Sequence, residues 1–213
     1  MTSLARTERS ALADLLDQIG PDQPTLCEGW TTRDLAAHLI ARERRPDTLP
    51  GIAVKAFAGH TESVRRSYAE RPYAELVGLV RSGPGRLSPF GLPGVDSLTN
   101  TTEYAVHLED VRRAQSGWRP RELPAKVQDA FWTAVSSRAP LAFRRLSCGV
   151  ELRRTDRPDA ARATVSKGEP VATISGEPLE LLLYAFGRQA HAMVEVAGDP
   201  RAVALLDGLA LEV

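Results

Sequence analysis

The sequence predicts an α+β protein, with a helical domain over residues 1–146 and a small α+β domain over residues 147–213. Three observations predict it. Up to Leu146, apolar residues recur at three- and four-residue spacing, the period of a helix with one buried face. From Ser147 the period changes to two, as in a strand buried on one side. The 213 residues, 43% of them hydrophobic, are enough to bury a substantial core.

In chain order, Leu4, Ala11, Leu15 and Ile19, widened by Leu12 and Leu16, mark a first helix from Ser3 that Gly20-Pro21 ends. After a loop with Pro24, Cys27 and Gly29, the run Thr31-Thr-Arg-Asp34 has the form of a helix cap, and a second helix follows to about Arg45. Residues 46–100 are punctuated by Pro and Gly, with short helices expected over Ile52–Ala58 and His60–Ala69. A clearer helix covers Pro72–Arg81, with Pro72 at its first position. Ser82-Gly-Pro-Gly opens a loop to Ser97. The central helix then spans Asn100–Ala114, and another covers Pro124–Arg138, where Pro140 is expected to interrupt it before a short continuation over Leu141–Leu146.

In the second domain, Cys148, Val150 and Leu152 alternate with polar residues as one strand. Ala163–Ser166 and Pro170–Ser175 read as two further strands joined by a short turn. Pro178–Gly187 is a helix apolar on all sides, which implies burial against a sheet. Met193–Val196 is a last strand, and Asp199-Pro200 caps and starts a last helix.

Lys plus Arg (27) balance Asp plus Glu (27), so there is no electrostatic footprint for nucleic acid or an anionic membrane. The first ten residues carry charges where a signal peptide has its apolar region. No run approaches the roughly 18 apolar residues of a membrane span. The chain reads as cytoplasmic, a monomer or homodimer, without nucleic-acid or membrane partners. Cys27 and Cys148 are too few for a disulfide framework; they read as small buried residues, with a reactive thiol at Cys27 the alternative.

The chemistry gathers on the central helix. Glu103 and His107 stand four residues apart and so share a face, with Asn100 one turn before and Asp110 one turn after. A Glu/His pair needs a third metal ligand, and His38, at the border of the second helix's apolar stripe, can supply it. Two histidines and a glutamate are a common set for catalytic zinc, where three protein ligands leave a position open. Unrelated polar residues are the alternative, with His38 a core-edge histidine. Asp110 suits an acceptor that fixes the His107 tautomer, or an exposed acid paired with Arg113. Asn100 suits a contact to cofactor, substrate or water, or a helix cap. Arg188 suits a carboxylate of substrate or cofactor, since guanidinium matches carboxylate bidentately, or a structural salt bridge. His60 reads as exposed and non-functional.

Trp30-Thr-Thr-Arg-Asp-Leu-Ala-Ala-His38, the Glu103/His107 pair, and Val-Ala-Thr-Ile-Ser-Gly176, Gly187-Arg188 and Gly198-Asp199 resemble the mycothiol-dependent maleylpyruvate isomerase family. The resemblance covers nearly the whole chain. It is strongest to an actinobacterial metal-binding subgroup whose central helix carries the Glu … His-x-Glu-Asp-Val-Arg-Arg pattern. It implies a DinB-like four-helix bundle followed by a sterol-carrier-like α+β domain. It further implies a divalent metal, zinc or alternatively nickel, on His38, Glu103 and His107, and mycothiol as the thiol cosubstrate. The expected function is isomerisation or S-transfer on a small electrophile. A metal-dependent hydrolase, favoured by a free carboxylate such as Glu109 or Asp110 directed at the metal, and a non-catalytic binding module are the alternatives.

Overall fold

The computed structural model describes residues 3–48, 55–85, 88, 100–159, 161–209 and 211. Helix α1 (Leu4–Ile19) starts at Ser3, whose hydroxyl accepts from the Arg6 amide. Helix α2 (Thr32–Arg44) starts at a complete capping box: Thr31 accepts from the Asp34 amide, and Asp34 accepts from the Thr31 amide, which satisfies two donors the helix itself leaves open. A 3-10 turn, Pro46–Thr48, follows. Where two short helices were expected over 52–69, one helix, α3 (Lys55–Ala69), runs through Gly59; a lone glycine lowers helix propensity without breaking the hydrogen-bond ladder. The start expected at Ile52 and most of the loop to Ser97 lie outside the described residues. Helix α4 (Tyr73–Ser82) has Pro72 one place earlier than expected, as its N-cap. Helix α5 (Thr101–Arg113) is the central helix.

Leu12, Leu16, Leu35, Leu39, Ile40, Leu76, Val80, Tyr104, Leu108 and Val111 form one core cluster to which α1, α2, α4 and α5 all contribute. This is a four-helix bundle in which each buried leucine adds about 1.5–3 kcal/mol. Helix α3 packs on α2. The buried face of α1 is rotated from the expected stripe. Ala5, Glu8, Arg9, Leu12, Ala13 and Leu16 are buried, while Leu15 and Ile19 are only partly so. Two charged residues thus occupy positions that hydrophobicity alone assigns to the surface.

By packing, the chain divides into two compact units, Met1–Arg119 and Pro120–Val213. Helix α6 (Ala125–Ala142) is grouped with the second unit, although the change of period falls near residue 146. The helix continues through Pro140 to Ala142, because a proline in the last turn costs few ladder bonds, and the expected continuation to Leu146 is a turn instead. The strands β1 (Gly149–Arg154), β2 (Arg162–Ser166), β3 (Val171–Gly176) and β4 (Val194–Gly198) form one sheet. Its order is β2-β1-β3-β4, with β1 antiparallel to β2 and parallel to β3, and β3 antiparallel to β4.

The two strands joined by the Lys167–Glu169 turn therefore do not pair with each other, since β1 lies between them. Glycine at 149 permits the close approach this requires: a Cβ there would collide with the Gly168 carbonyl. Helix α7 (Pro178–Ala185) is buried at every position and packs on α6 and on the sheet, as its all-round apolar sequence predicts. Helix α8 (Pro200–Asp207) begins at Asp199, which caps it. Among the described residues no helix is long and apolar enough to cross a membrane.

Candidate metal centre

The capping box fixes the start of α2, and two turns later His38 emerges toward α5. There it meets Glu103 and His107, which the four-residue spacing places on one face. The His38 Nε2 is 3.5 Å, and the His107 Nε2 3.3 Å, from the same oxygen, Glu103 Oε1. The two imidazoles stand edge to face with centroids 5.5 Å apart. One donor atom from each of the three residues lies within 4.8 Å of the others. These residues fit a divalent metal in donor type, two imidazole nitrogens and a carboxylate oxygen, and in number.

The other nitrogen of His107 is also held. Its Nδ1 lies 2.8 Å from Asp110 Oδ2, and Asp110 is fully buried. With Nδ1 held on a carboxylate, Nε2 is the nitrogen that faces Glu103, and it would ligate a metal once its own proton is displaced. The exposed alternative for Asp110 is overturned by its burial, and Arg113 pairs with Glu109, Nε to Oε2 at 2.6 Å. Glu109 also takes Arg112 on its other oxygen at 2.6 Å. Both acids are thus engaged by neighbouring side chains, whereas a free carboxylate directed at the centre is what would favour the hydrolase alternative.

Asn100 caps nothing: it has helical backbone angles and makes no capping hydrogen bond. Its Oδ1 instead accepts from Arg42 at 3.0 Å. Arg188 belongs to the second compact unit, where its guanidinium donates to the Phe186 carbonyl at 2.6 Å. His60 is half exposed and bonds Asp47, Nε2 to Oδ2 at 2.7 Å.

Three contributors were not legible from the sequence as site residues. Cys27 directs Sγ at Asp110 Oδ2, 3.4 Å away. The loop that carries it is pinned by a bridge between Pro24 and Thr31, and Thr25 donates to the Trp30 carbonyl at 2.9 Å. Trp30 tilts against His38 with centroids 5.1 Å apart, and the Arg65 guanidinium covers the Trp30 ring. Arg42, four residues after His38, sets Nε 3.3 Å from Glu103 Oε1. Spacing on α2 was a usable signal for Arg42. For Cys27 there was none, because its partner is 83 residues away.

The electrostatics follow from these contacts. Burial alone would raise the Glu103 pKa, but His107, His38 and the Arg42 charge hold it well below the usual carboxylate range. Burial lowers the His38 pKa, and His107 and Arg42 act in the same direction against Glu103. His107 is held well above an ordinary histidine in spite of its burial, by Asp110, Cys27 and Glu103. A cavity of ≈ 230 Å³ opens beside His38, with Trp30, Ala41, Arg42, Thr61 and Arg65 also in its wall. A small molecule can therefore reach the His38 side of the centre.

Residues 3–146 match the family model described as the mycothiol maleylpyruvate isomerase N-terminal domain. No curated protein sequence gives a significant match. Two solved structures share the fold over 92% of this chain and 96% of theirs, each at 16% identity: a mycothiol-dependent maleylpyruvate isomerase, TM-score 0.58, and a histidine-to-alanine mutant of a mycothiol-dependent maleylpyruvate isomerase, TM-score 0.56. With the model matching about two thirds of its length, the chain belongs to the mycothiol maleylpyruvate isomerase family.

Proposed function

We propose that the chain is a metal-dependent enzyme that uses a low-molecular-weight thiol, mycothiol, to isomerise or S-modify a small electrophilic substrate. One observation carries this reading: His38 Nε2 and His107 Nε2 converge on Glu103 Oε1 beside a cavity. The donor set suits zinc, with nickel the alternative. When bound, the metal supplies Lewis acidity that lowers the pKa of a thiol at its open position, as it does for water.

The chain's own residues do the rest. Asp110 fixes the His107 tautomer, Trp30 braces the His38 ring, and Asn100 acts through Arg42 on the Glu103 carboxylate. We assign Arg188 to a substrate or cofactor carboxylate, since a guanidinium can match a carboxylate bidentately. A thiolate that adds to a double bond conjugated with a carbonyl leaves a single bond about which the molecule rotates. Its loss from the resulting enolate restores the double bond and gives isomerisation, and its retention, with a proton from solvent taken up at the carbon next to the carbonyl, gives transfer.

The test is metal analysis of protein purified without chelator, for the wild type, His38→Ala and Glu103→Ala. Stoichiometric zinc or nickel in the wild type, lost in both variants, is the expected result. A metal-free wild type, or two variants that keep the metal, ends the proposal. Thiol consumption with mycothiol and a panel of electrophiles then separates a catalyst from a binding module.

A further inference from the structure

Arg42 stands beside the three ligands without being one of them. Its side chain is 6% exposed, and its Nε approaches the very oxygen on which both imidazoles converge. The other end of the guanidinium is held by Asn100 Oδ1, on a residue that is itself fully buried. We propose that Arg42 is an internal counter-cation, which competes with the metal for Glu103 Oε1 and lowers the metal affinity of the site. This rests on the assignment of His38, Glu103 and His107 as ligands.

A carboxylate withdrawn from water needs a positive partner, and Arg42 is one when no metal is bound. An arginine cannot give up its charge, so a metal at Oε1 must bind against it. At an effective dielectric of about 20, a fixed cation within a few ångströms changes the affinity of a second cation by more than about tenfold. The partner at position 100 has a matching chemistry. The amide oxygen of asparagine orients the guanidinium without neutralising it, whereas an aspartate there would cancel the charge.

The experiment measures zinc affinity of the metal-stripped full chain by competition with a chromophoric chelator. Arg42→Gln is expected to bind zinc at least about tenfold more tightly than the wild type, and Arg42→Lys, which keeps the charge, within about threefold of it. Asn100→Asp is expected to tighten binding in the same direction as Arg42→Gln. Unchanged or weaker binding by Arg42→Gln overturns the proposal, since a residue that merely positions Glu103 weakens binding when removed. Tightening by Arg42→Lys equal to that of Arg42→Gln overturns it too, because shape and not charge is then responsible. If Arg42→Gln does not fold, Asn100→Asp decides alone: tightening supports the role of Arg42, and no change overturns it. Zinc binding by the wild type without these shifts removes only the role of Arg42. No zinc binding by any of the proteins removes the ligand assignment and this role with it.

Discussion

Residues 42 and 43 on α2, and 103 and 104 on α5, are neighbours in sequence that serve two different clusters. On one face Arg42 and Glu103 meet His38 and His107, with His38 and Glu103 21% and 22% exposed and a cavity alongside. On the other, Arg9 of α1 pairs with Glu43 at 3.7 Å and lies over the Tyr104 ring, 4.9 Å from its centroid. That second cluster is closed. Arg9, Glu43 and Tyr104 are 5%, 2% and 0% exposed, and Gly83, with φ of 73°, sits so near that a side chain would strike the Arg9 guanidinium. Both clusters contain an arginine, a glutamate and an aromatic or imidazole ring. What separates them is access. The first has two imidazoles and a cavity beside His38, whereas the sealed guanidinium-phenol stack ties three helices together.

Four experiments would break or sharpen this contrast. Arg9→Met removes a buried counter-charge of Glu43 and is expected to cost about 3–5 kcal/mol in denaturant unfolding, with metal content unchanged. Loss of metal from a folded Arg9→Met protein would join the two clusters into one. Asp110→Asn, on the open side, is expected to weaken zinc binding about 10- to 100-fold by releasing the His107 ring. Equal affinity would mean that the ring is held by packing alone. Asp34→Ala removes half of the capping box that sets the direction of α2, and a loss of about 1 kcal/mol is expected from thermal melts.

The smallest effect concerns pH. Glu62 is held at about 2 by the Arg65 guanidinium, against an ordinary 4.5. Because its folded pKa is depressed, the stability it contributes is complete above about 4.5 and is lost as pH falls toward 2. Glu62→Gln should therefore flatten the acid limb of a stability-pH curve over that interval, and an unchanged limb would show the pair to be idle.

What could be read from the sequence was local. The Thr31/Asp34 cap, the Glu103/His107 face and the capped last helix each rest on residues within one or two turns of each other, where backbone geometry leaves little choice. The polar face of α5 was legible for the same reason. What could not be read depended on distant partners. Arg9 takes a core position because Glu43 and Tyr104 await it, which no periodicity can register. Asn100 looked like a cap because its partner, Arg42, is 58 residues away. The central place of β1 in the sheet follows from pairing that turn chemistry at Lys167–Glu169 does not encode.

Asp110 engages the site twice. Its carboxylate holds His107, and its main-chain carbonyl accepts the Leu26 amide at 3.0 Å, fastening the loop of Cys27 and Trp30 to the same helical turn. Ring and loop thus share one hinge pin, and the loop cannot swing away from His38 without baring that amide to water. The deuterium-exchange rate of the Leu26 N–H is consequently a clock for how often this wall of the centre comes undone, and it runs without any substrate bound.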